Sequence, residues 1–390
     1  MSVTEKSNPF RGCLLFVDDF RKPTEFTQIK RFPTTHLLRS WYRWGEPSKD
    51  KEYAQRTEII RQLRAAGVTI GGGTSLSIVN ERDIARKDFN TSWLSVNLQG
   101  TAVQSPNRQY GTLSAPGFRA YLIARLVEQA RLGITELHLG ESNGEIHFDD
   151  WTLGLKGDSG FVQSIRNKYK NQPLKWWKNY LGTLGEAIFK KTVRRSHFLE
   201  LPESYDANFT SEWGKPDSWE GKNTKGEPAF LTFLYRKNLE SFLSELRQEL
   251  KTNELASVKV DVWGFADWMK TLASKPDAFI SSPPDERWGL KWSTDPEFSV
   301  EKHEARFRSI MTEQIQSVAP IPVVYMIDHP KPFRDFTKLP DERQALLIKF
   351  FSKISGELGA NFAFRVYSED GKAVGIKTTE VTQAECQRRT

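Results

Sequence analysis

Short apolar runs and amphipathic helical stretches alternate along most of this 390-residue chain. That rhythm limits the fold more than any other feature. An alternation of β and α segments argues for a parallel sheet, because parallel neighbours need a crossover and a helix supplies it. The strand candidates are Gly12–Phe20 (GCLLFVDDF), Thr35–Gly45, Val68–Ile70, Ile134–Gly140 (ITELHLG), Val258–Gly264, Ala278–Ser281, Ile321–Asp328 (IPVVYMID) and Ala360–Tyr367. Trp93–Leu98 is a further strand or a rim segment. Helices are expected over Ala54–Ala66, Pro116–Leu132, Leu231–Leu250, Glu301–Ser317 and Asp341–Leu358, with Gly67, Gly133 and Gly359 as their stops. Pro116–Leu132 is the clearest. Ser114 is its expected cap, and Phe118, Tyr121, Leu122, Leu126 and Ala130 form its apolar stripe.

About eight such units over this length favour a closed (β/α)8 TIM-like barrel over an open doubly wound sheet. Residues 152–230 are rich in Lys, Trp and Gly without strand rhythm, and read as a large insertion or lid between the middle strands. The expected organisation is one barrel over 10–368 with that insertion, followed by a polar, frayed or surface extension over 369–390.

Composition then removes whole classes. Hydrophobic residues are 38% and charged residues 27% of the chain, an ordinary globular balance. The two cysteines, Cys13 and Cys386, are too few for a disulfide framework or a cysteine zinc site. Cys13 lies in an apolar strand and reads as a small buried hydrophobe. No apolar run approaches the roughly 20 residues of a membrane span. The first ten residues lack the apolar centre of a signal peptide, so the cytoplasm is the default address. A secreted or periplasmic one follows if a signal peptide has been removed. The net charge is +7, which suits an anionic partner, but the charges are interspersed and no basic arm argues for nucleic acid. Twelve tryptophans, many in polar surroundings, are suited to stacking on sugar rings.

The chemistry is expected at strand C-termini, where a barrel builds its active site. Asp18 and Asp19, Arg43, Thr74, Glu141, Asp328 and His329 all follow or end candidate strands. Converging carboxyl groups are what glycoside hydrolysis requires, one to protonate the leaving oxygen and one to attack or to activate water. Glu141 is the expected general acid/base and Asp328 the nucleophile or base. Asp18 or Asp19, Arg43, Asp149 and His329 would position hydroxyls or an anionic group, and Trp44, Trp151 and Trp288 would stack on sugars. No cofactor is called for. Gly71-Gly72-Gly73-Thr74 lacks the P-loop lysine and the dinucleotide fingerprint, and reads as a close turn beside a ligand. No G-x-S-x-G elbow stands in the chain. His138, His147 and Asp149 offer mixed nitrogen and oxygen donors, but without a helical histidine pair no metal is expected.

Several phrases resemble a recurring segment of uncharacterised glycoside-hydrolase-like barrel proteins. They are Ala115–Leu122 (APGFRAYL), Gly133–Glu141 (GITELHLGE), Phe148–Leu153 (FDDWTL) and Gly160-Phe161, with Ala65–Gly73 (AAGVTIGGG) similar to an earlier strand of those barrels. The resemblance covers about a quarter of the chain. It implies a (β/α)8 barrel with its strand-end acid at Glu141. In those proteins an aspartate precedes that acid, where this chain has Gly140. The expected function is hydrolysis of a poly- or oligosaccharide, with an acidic one favoured by the basic balance. The alternative is a glycan-binding barrel without catalysis.

Overall fold

The structure is a computed structural model. It describes residues 10, 12–16, 29, 32–38, 51–79, 84–94, 104–105, 108–111, 113, 115–140, 229–263, 272–281, 300–327, 340–365 and 376–390. In chain order the elements are β1 (Cys13–Phe16), β2 (Thr34–Leu38), α1 (Lys51–Ala65), β3 (Thr69–Ser75), β4 (Ile78–Val79), β5 (Gln104–Ser105), β6 (Arg108–Tyr110), α2 (Pro116–Arg131) and β7 (Glu136–Gly140). There follow α3 (Ala229–Thr252), β8 (Lys259–Trp263), β9 (Ala278–Ser281), α4 (Val300–Val318), β10 (Val323–Ile327), α5 (Asp341–Glu357), β11 (Asn361–Arg365) and α6 (Ile376–Arg389).

Eight strands close into a barrel in the order β1-β11-β10-β9-β8-β7-β3-β2. Every pairing around the ring is parallel. This is the (β/α)8 barrel that the alternation of strands and helices implies. The outward side chains of the strands and the inward stripes of the helices form one continuous layer. On α2 that stripe is the expected one, with Phe118, Tyr121, Leu122, Leu126 and Ala130 all buried. On α3 it is Leu239, Phe242, Leu243, Leu246 and Leu250, the i, i+3, i+4 spacing of a helix lying on a sheet. Arg119 of α2, almost fully buried, ties the two helices by placing Nη2 2.8 Å from Glu245 Oε1 of α3. Gly67 and Gly133 stop their helices with φ of +83° and +94°, a backbone region in which a Cβ would be strained.

Four local expectations change. Gly71-Gly72-Gly73-Thr74 is not a turn but the middle of β3, a strand buried on both faces. Glycines are needed there because neighbours press on the backbone from both sides. A Cβ on Gly71 would lie 2.3 Å from His138 Cε1, and one on Gly72 2.4 Å from Gln129 Oε1. Within Trp93–Leu98, the described part is the end of a 3-10 turn, Thr91–Trp93, and a single antiparallel bridge from Leu94 to Gly111. Asn90 caps that turn by accepting from the Ser92 amide at 2.9 Å. Trp93 packs among Phe89, Phe118 and Tyr121 in a cluster behind α2. The residue preceding α2 is Ala115, with no side-chain cap bond, and Pro116 begins the helix; Ser114 lies outside the described residues.

The fourth change is at the C-terminus. Residues 376–389 are not frayed but form α6, which packs on α5 and β1. Cys13 and Cys386 are joined in a disulfide with a Cα–Cα distance of 4.7 Å across 373 residues of sequence. Cys13 is buried as expected, but as half of this cross-link. Polar contacts hold the same helix. Arg389 Nη2 donates to the Ser352 carbonyl at 2.7 Å, and Ser352 Oγ donates to Glu385 Oε2 at 3.0 Å. Among the described residues no helix is long and apolar enough to cross a membrane.

Candidate functional site: the barrel interior and its C-terminal rim

Parallel strands in a ring share one polarity, so all eight C-termini stand on one rim. In β1, β2, β3 and β7 the last residues are Phe16, Leu38, Ser75 and Gly140, and in β8 to β11 they are Trp263, Ser281, Ile327 and Arg365. Glu141 is the next residue after β7, and Asp328 the next after β10. Asp18 and Asp19 follow β1 closely, Arg43 and Trp44 follow β2, and Trp288 follows β9. Each of these, together with Asp149, Trp151 and His329, lies outside the described residues. Thr74, also named from the sequence, is buried in β3 one residue short of the rim.

At Ser75 the chain leaves the barrel wall. Ser75 Oγ accepts from the Ile78 amide at 2.8 Å, while the Leu76 amide continues the ladder to the Gly140 carbonyl at 2.9 Å. The chain then enters a small antiparallel sheet ordered β4-β6-β5. The described part of the β3–α2 connection thus carries this small sheet next to the end of β3.

The barrel interior is divided. Strand register puts Leu14, Leu38, Ala278, Ile280, Val324, Met326 and Ala363 in one apolar cluster, with Phe10 among them. Trp263, the last residue of β8, packs against this cluster and is half-buried. It is thus an aromatic surface at the rim, one the sequence analysis did not single out.

The opposite part of the interior is polar. Glu136 and His138 alternate with Leu137 and Leu139 on β7, and Lys259 and Asp261 alternate with Val260 and Val262 on β8. Register sets Glu136 beside Lys259 and His138 beside Asp261. On the other flank Gly71 pairs with Glu136 and Gly73 with His138, so no side chain from β3 competes for the space. His138 Nε2 stands 3.2 Å from Asp261 Oδ2 and 3.8 Å from Glu136 Oε2. The Lys259 ammonium is 3.7 Å from the other Glu136 oxygen, Oε1. Glu136, His138 and Asp261 are each no more than 2% exposed.

Burial and pairing compete at each of these groups. Burial opposes the charge on Glu136, but the His138 ring and the positive charges of His36 and Lys259 outweigh it and hold the carboxyl below its ordinary range. Burial also opposes an imidazolium at His138, and the facing Asp261 and Glu136 carboxylates overcome it and raise the ring's pKa. Asp261 is pushed up to about 6, chiefly by burial, with His138 partly offsetting this and the charges of Glu136 and Asp277 adding to it. The His138–Asp261 approach is an ion-pair contact, not a directed hydrogen bond. Among the described residues neither Asp261 oxygen, nor Glu136 Oε2, has a hydrogen-bond partner.

Of the residues weighed as metal ligands from the sequence, His138 is described, and it faces Glu136 and Asp261; His147 and Asp149 lie outside the described residues. The sequence did carry a signal for this cluster. ELHLG and KVDVW place a polar group at every second position of a strand, which is an interior face of mixed polarity and not a plain apolar run.

No protein-family model and no curated protein sequence matches the chain. Solved structures do. A β-galactosidase from the Antarctic haloarchaeon Halorubrum lacusprofundi aligns over 96% of this chain and 57% of its own, with 10% identity and a TM-score of 0.54. A β-galactosidase from the psychrophilic Marinomonas ef1 aligns over 96% of this chain and 58% of its own, with 12% identity and a TM-score of 0.51. The glycoside hydrolase domain of PelA from Pseudomonas aeruginosa aligns over 91% of this chain and 95% of its own, with 13% identity and a TM-score of 0.44. The chain spans somewhat over half the length of the two β-galactosidases. The likeness to the two β-galactosidases is one of fold.

Proposed function

We propose that the chain is a glycoside hydrolase acting on a poly- or oligosaccharide at the C-terminal rim of the barrel. The observation that carries this is the placement of β7 and β10: both end on the same rim, and an acidic residue immediately follows each, Glu141 after Gly140 and Asp328 after Ile327. The two strand ends are three steps apart around the ring. At about 4.8 Å per step that is a path of roughly 14 Å. Two carboxyl side chains leaning inward from those ends would approach to within the roughly 5–9.5 Å over which such pairs cleave glycosides. Glu141 is assigned as general acid/base and Asp328 as nucleophile or base. Asp18 or Asp19, Arg43, Asp149 and His329 orient the sugar hydroxyls or an anionic substituent. Trp44, Trp151 and Trp288 offer stacking faces, and Trp263 adds one at the rim. The net charge of +7 favours an acidic or substituted polysaccharide. The Cys13–Cys386 disulfide favours an oxidising compartment, which agrees with an extracellular or periplasmic glycan.

A second reading, glycan binding without cleavage, is favoured by one observation: Gly140, with no side chain, closes β7 where similar barrels carry an aspartate. One experiment separates the two. Neutral and acidic polysaccharides are incubated with the protein and with Glu141→Gln, and products are read by reducing ends and by mass. Cleavage of one glycan, lost in the variant, supports hydrolysis. Saturable binding with no product supports the second reading.

A further inference from the structure

We infer that Glu136, His138 and Asp261 form a binding site for one zinc-class divalent cation, buried inside the barrel and distinct from the rim. The donor set is one imidazole nitrogen with two carboxylates, a mixture that suits Zn2+ and its first-row neighbours. All the ligand atoms lie within 4.8 Å of one another. The His138 Nε2 distances, 3.2 Å to Asp261 Oδ2 and 3.8 Å to Glu136 Oε2, bracket the edge of a tetrahedron. With metal–ligand bonds of about 2.0–2.1 Å that edge is roughly 3.3–3.4 Å.

An independent observation points the same way. Asp261 is fully buried, and among the described residues neither of its carboxylate oxygens has a hydrogen-bond partner; Glu136 Oε2 is in the same state. A carboxylate removed from water and left without hydrogen bonds is costly, and native structures rarely tolerate it without a reason. A cation between Asp261 Oδ2, Glu136 Oε2 and His138 Nε2 would supply a partner to both carboxylates. Lys259 does not occupy that place, since its ammonium lies on Glu136 Oε1, the oxygen turned away from the histidine contact. Gly71 and Gly73 leave the β3 side of the site free of side chains. The ligands sit on two adjacent strands in fixed register, which sets their spacing without help from loops.

The position assigns the role. His138 is the third residue of β7 and Asp261 the third of β8, so the ion sits in the middle and lower barrel, about 7 Å of strand below the rim. It would join β7 to β8 and stabilise the polar half of the interior, and it does not reach the reacting sugar. Because the site is closed from solvent, the ion is acquired as the chain folds. The inference does not depend on the glycosidase reading.

The test uses the full chain folded in the presence of Zn2+, freed of loose metal, and analysed for metal content. The expected result is one zinc per chain, retained through desalting and absent from Asp261→Asn and His138→Gln. The thermal midpoint of the wild type should be lower when the chain is refolded in EDTA than when it is refolded in zinc. Should the variants fail to fold, refolding the wild type in Co2+ decides the matter: a tetrahedral site gives intense visible absorption that zinc abolishes. A wild-type chain with no stoichiometric zinc, an unchanged midpoint in EDTA and no cobalt spectrum overturns the inference. So does zinc bound equally well by a folded Asp261→Asn variant, which would place the metal elsewhere.

Discussion

Gly71 of β3 and the ring of His138 on β7 share one space inside the barrel, such that a Cβ on the glycine would stand 2.3 Å from His138 Cε1. The same Cβ would be 2.9 Å from the Leu37 carbonyl, which is backbone and cannot rotate away. The missing side chain on one strand is what makes room for the buried histidine on the next.

Gly71→Ala should therefore destabilise the fold by about 1–3 kcal/mol, the usual cost of overpacking a core. Urea unfolding measures this. Combining Gly71→Ala with His138→Ala removes the overlap with the ring, leaving that with the Leu37 carbonyl, so the double variant should lose less than the sum of the two single losses. Strict additivity would show that the two side chains do not compete.

Gln129 of α2 offers a second test. Among the described residues β3 pairs with β2 at Thr69 and Ile70. Beyond that, the Gln129 amide serves the strand backbone. Its Oε1 accepts from the Gly73 amide at 2.7 Å, and its Nε2 donates to the Gly73 carbonyl at 3.2 Å. Gln129→Leu keeps the volume and loses both bonds. Two buried backbone groups then go unpaired, and the expected loss is about 2–4 kcal/mol. Hydrogen exchange at the Gly73 amide should accelerate in step with the lost stability.

The Cys13–Cys386 disulfide ties the first barrel strand to the last helix. Reducing the wild type, or replacing Cys386 by Ser, should lower stability by about 2–5 kcal/mol. Reductant should have no further effect on the Cys386→Ser protein. The Arg389 and Glu385 contacts to Ser352 remain, so α6 should loosen without the barrel opening. Thiol labelling under native, non-reducing conditions should find no reactive cysteine.

For the proposed chemistry, Glu141→Gln and Asp328→Asn should each lower turnover by about 10²–10⁴-fold or more while leaving the unfolding midpoint unchanged. Trp263→Ala should act on KM more than on kcat, because stacking on the sugar persists from the bound substrate to the transition state. A Glu141→Gln protein with full activity would remove that residue from the mechanism.

The elements and the closed barrel were legible because each strand and helix carries its own periodicity. The pattern of Phe118, Tyr121, Leu122, Leu126 and Ala130 marks α2 wherever the helix sits, and IPVVYMID marks β10 by composition alone. Gly71-Gly72-Gly73 was misread for the opposite reason. A glycine run has no periodicity, and whether it turns or extends depends on what lies beside it. Here that is His138 on one face and Gln129 on the other.

Local pattern by itself thus determined the alternation of strands and helices, the closed parallel barrel and the run of acidic residues at strand ends. These follow from side-chain spacing and from the crossovers that parallel strands need. Only the tertiary structure decided which residues meet across strands. Ring closure and register brought Glu136, His138 and Asp261 together, emptied β3 of side chains beside them, and docked Cys386 on Cys13. Such contacts join residues from 65 (Gly71 and Glu136) to 373 positions apart. No local preference encodes them, because they depend on how the strands are packed into one ring.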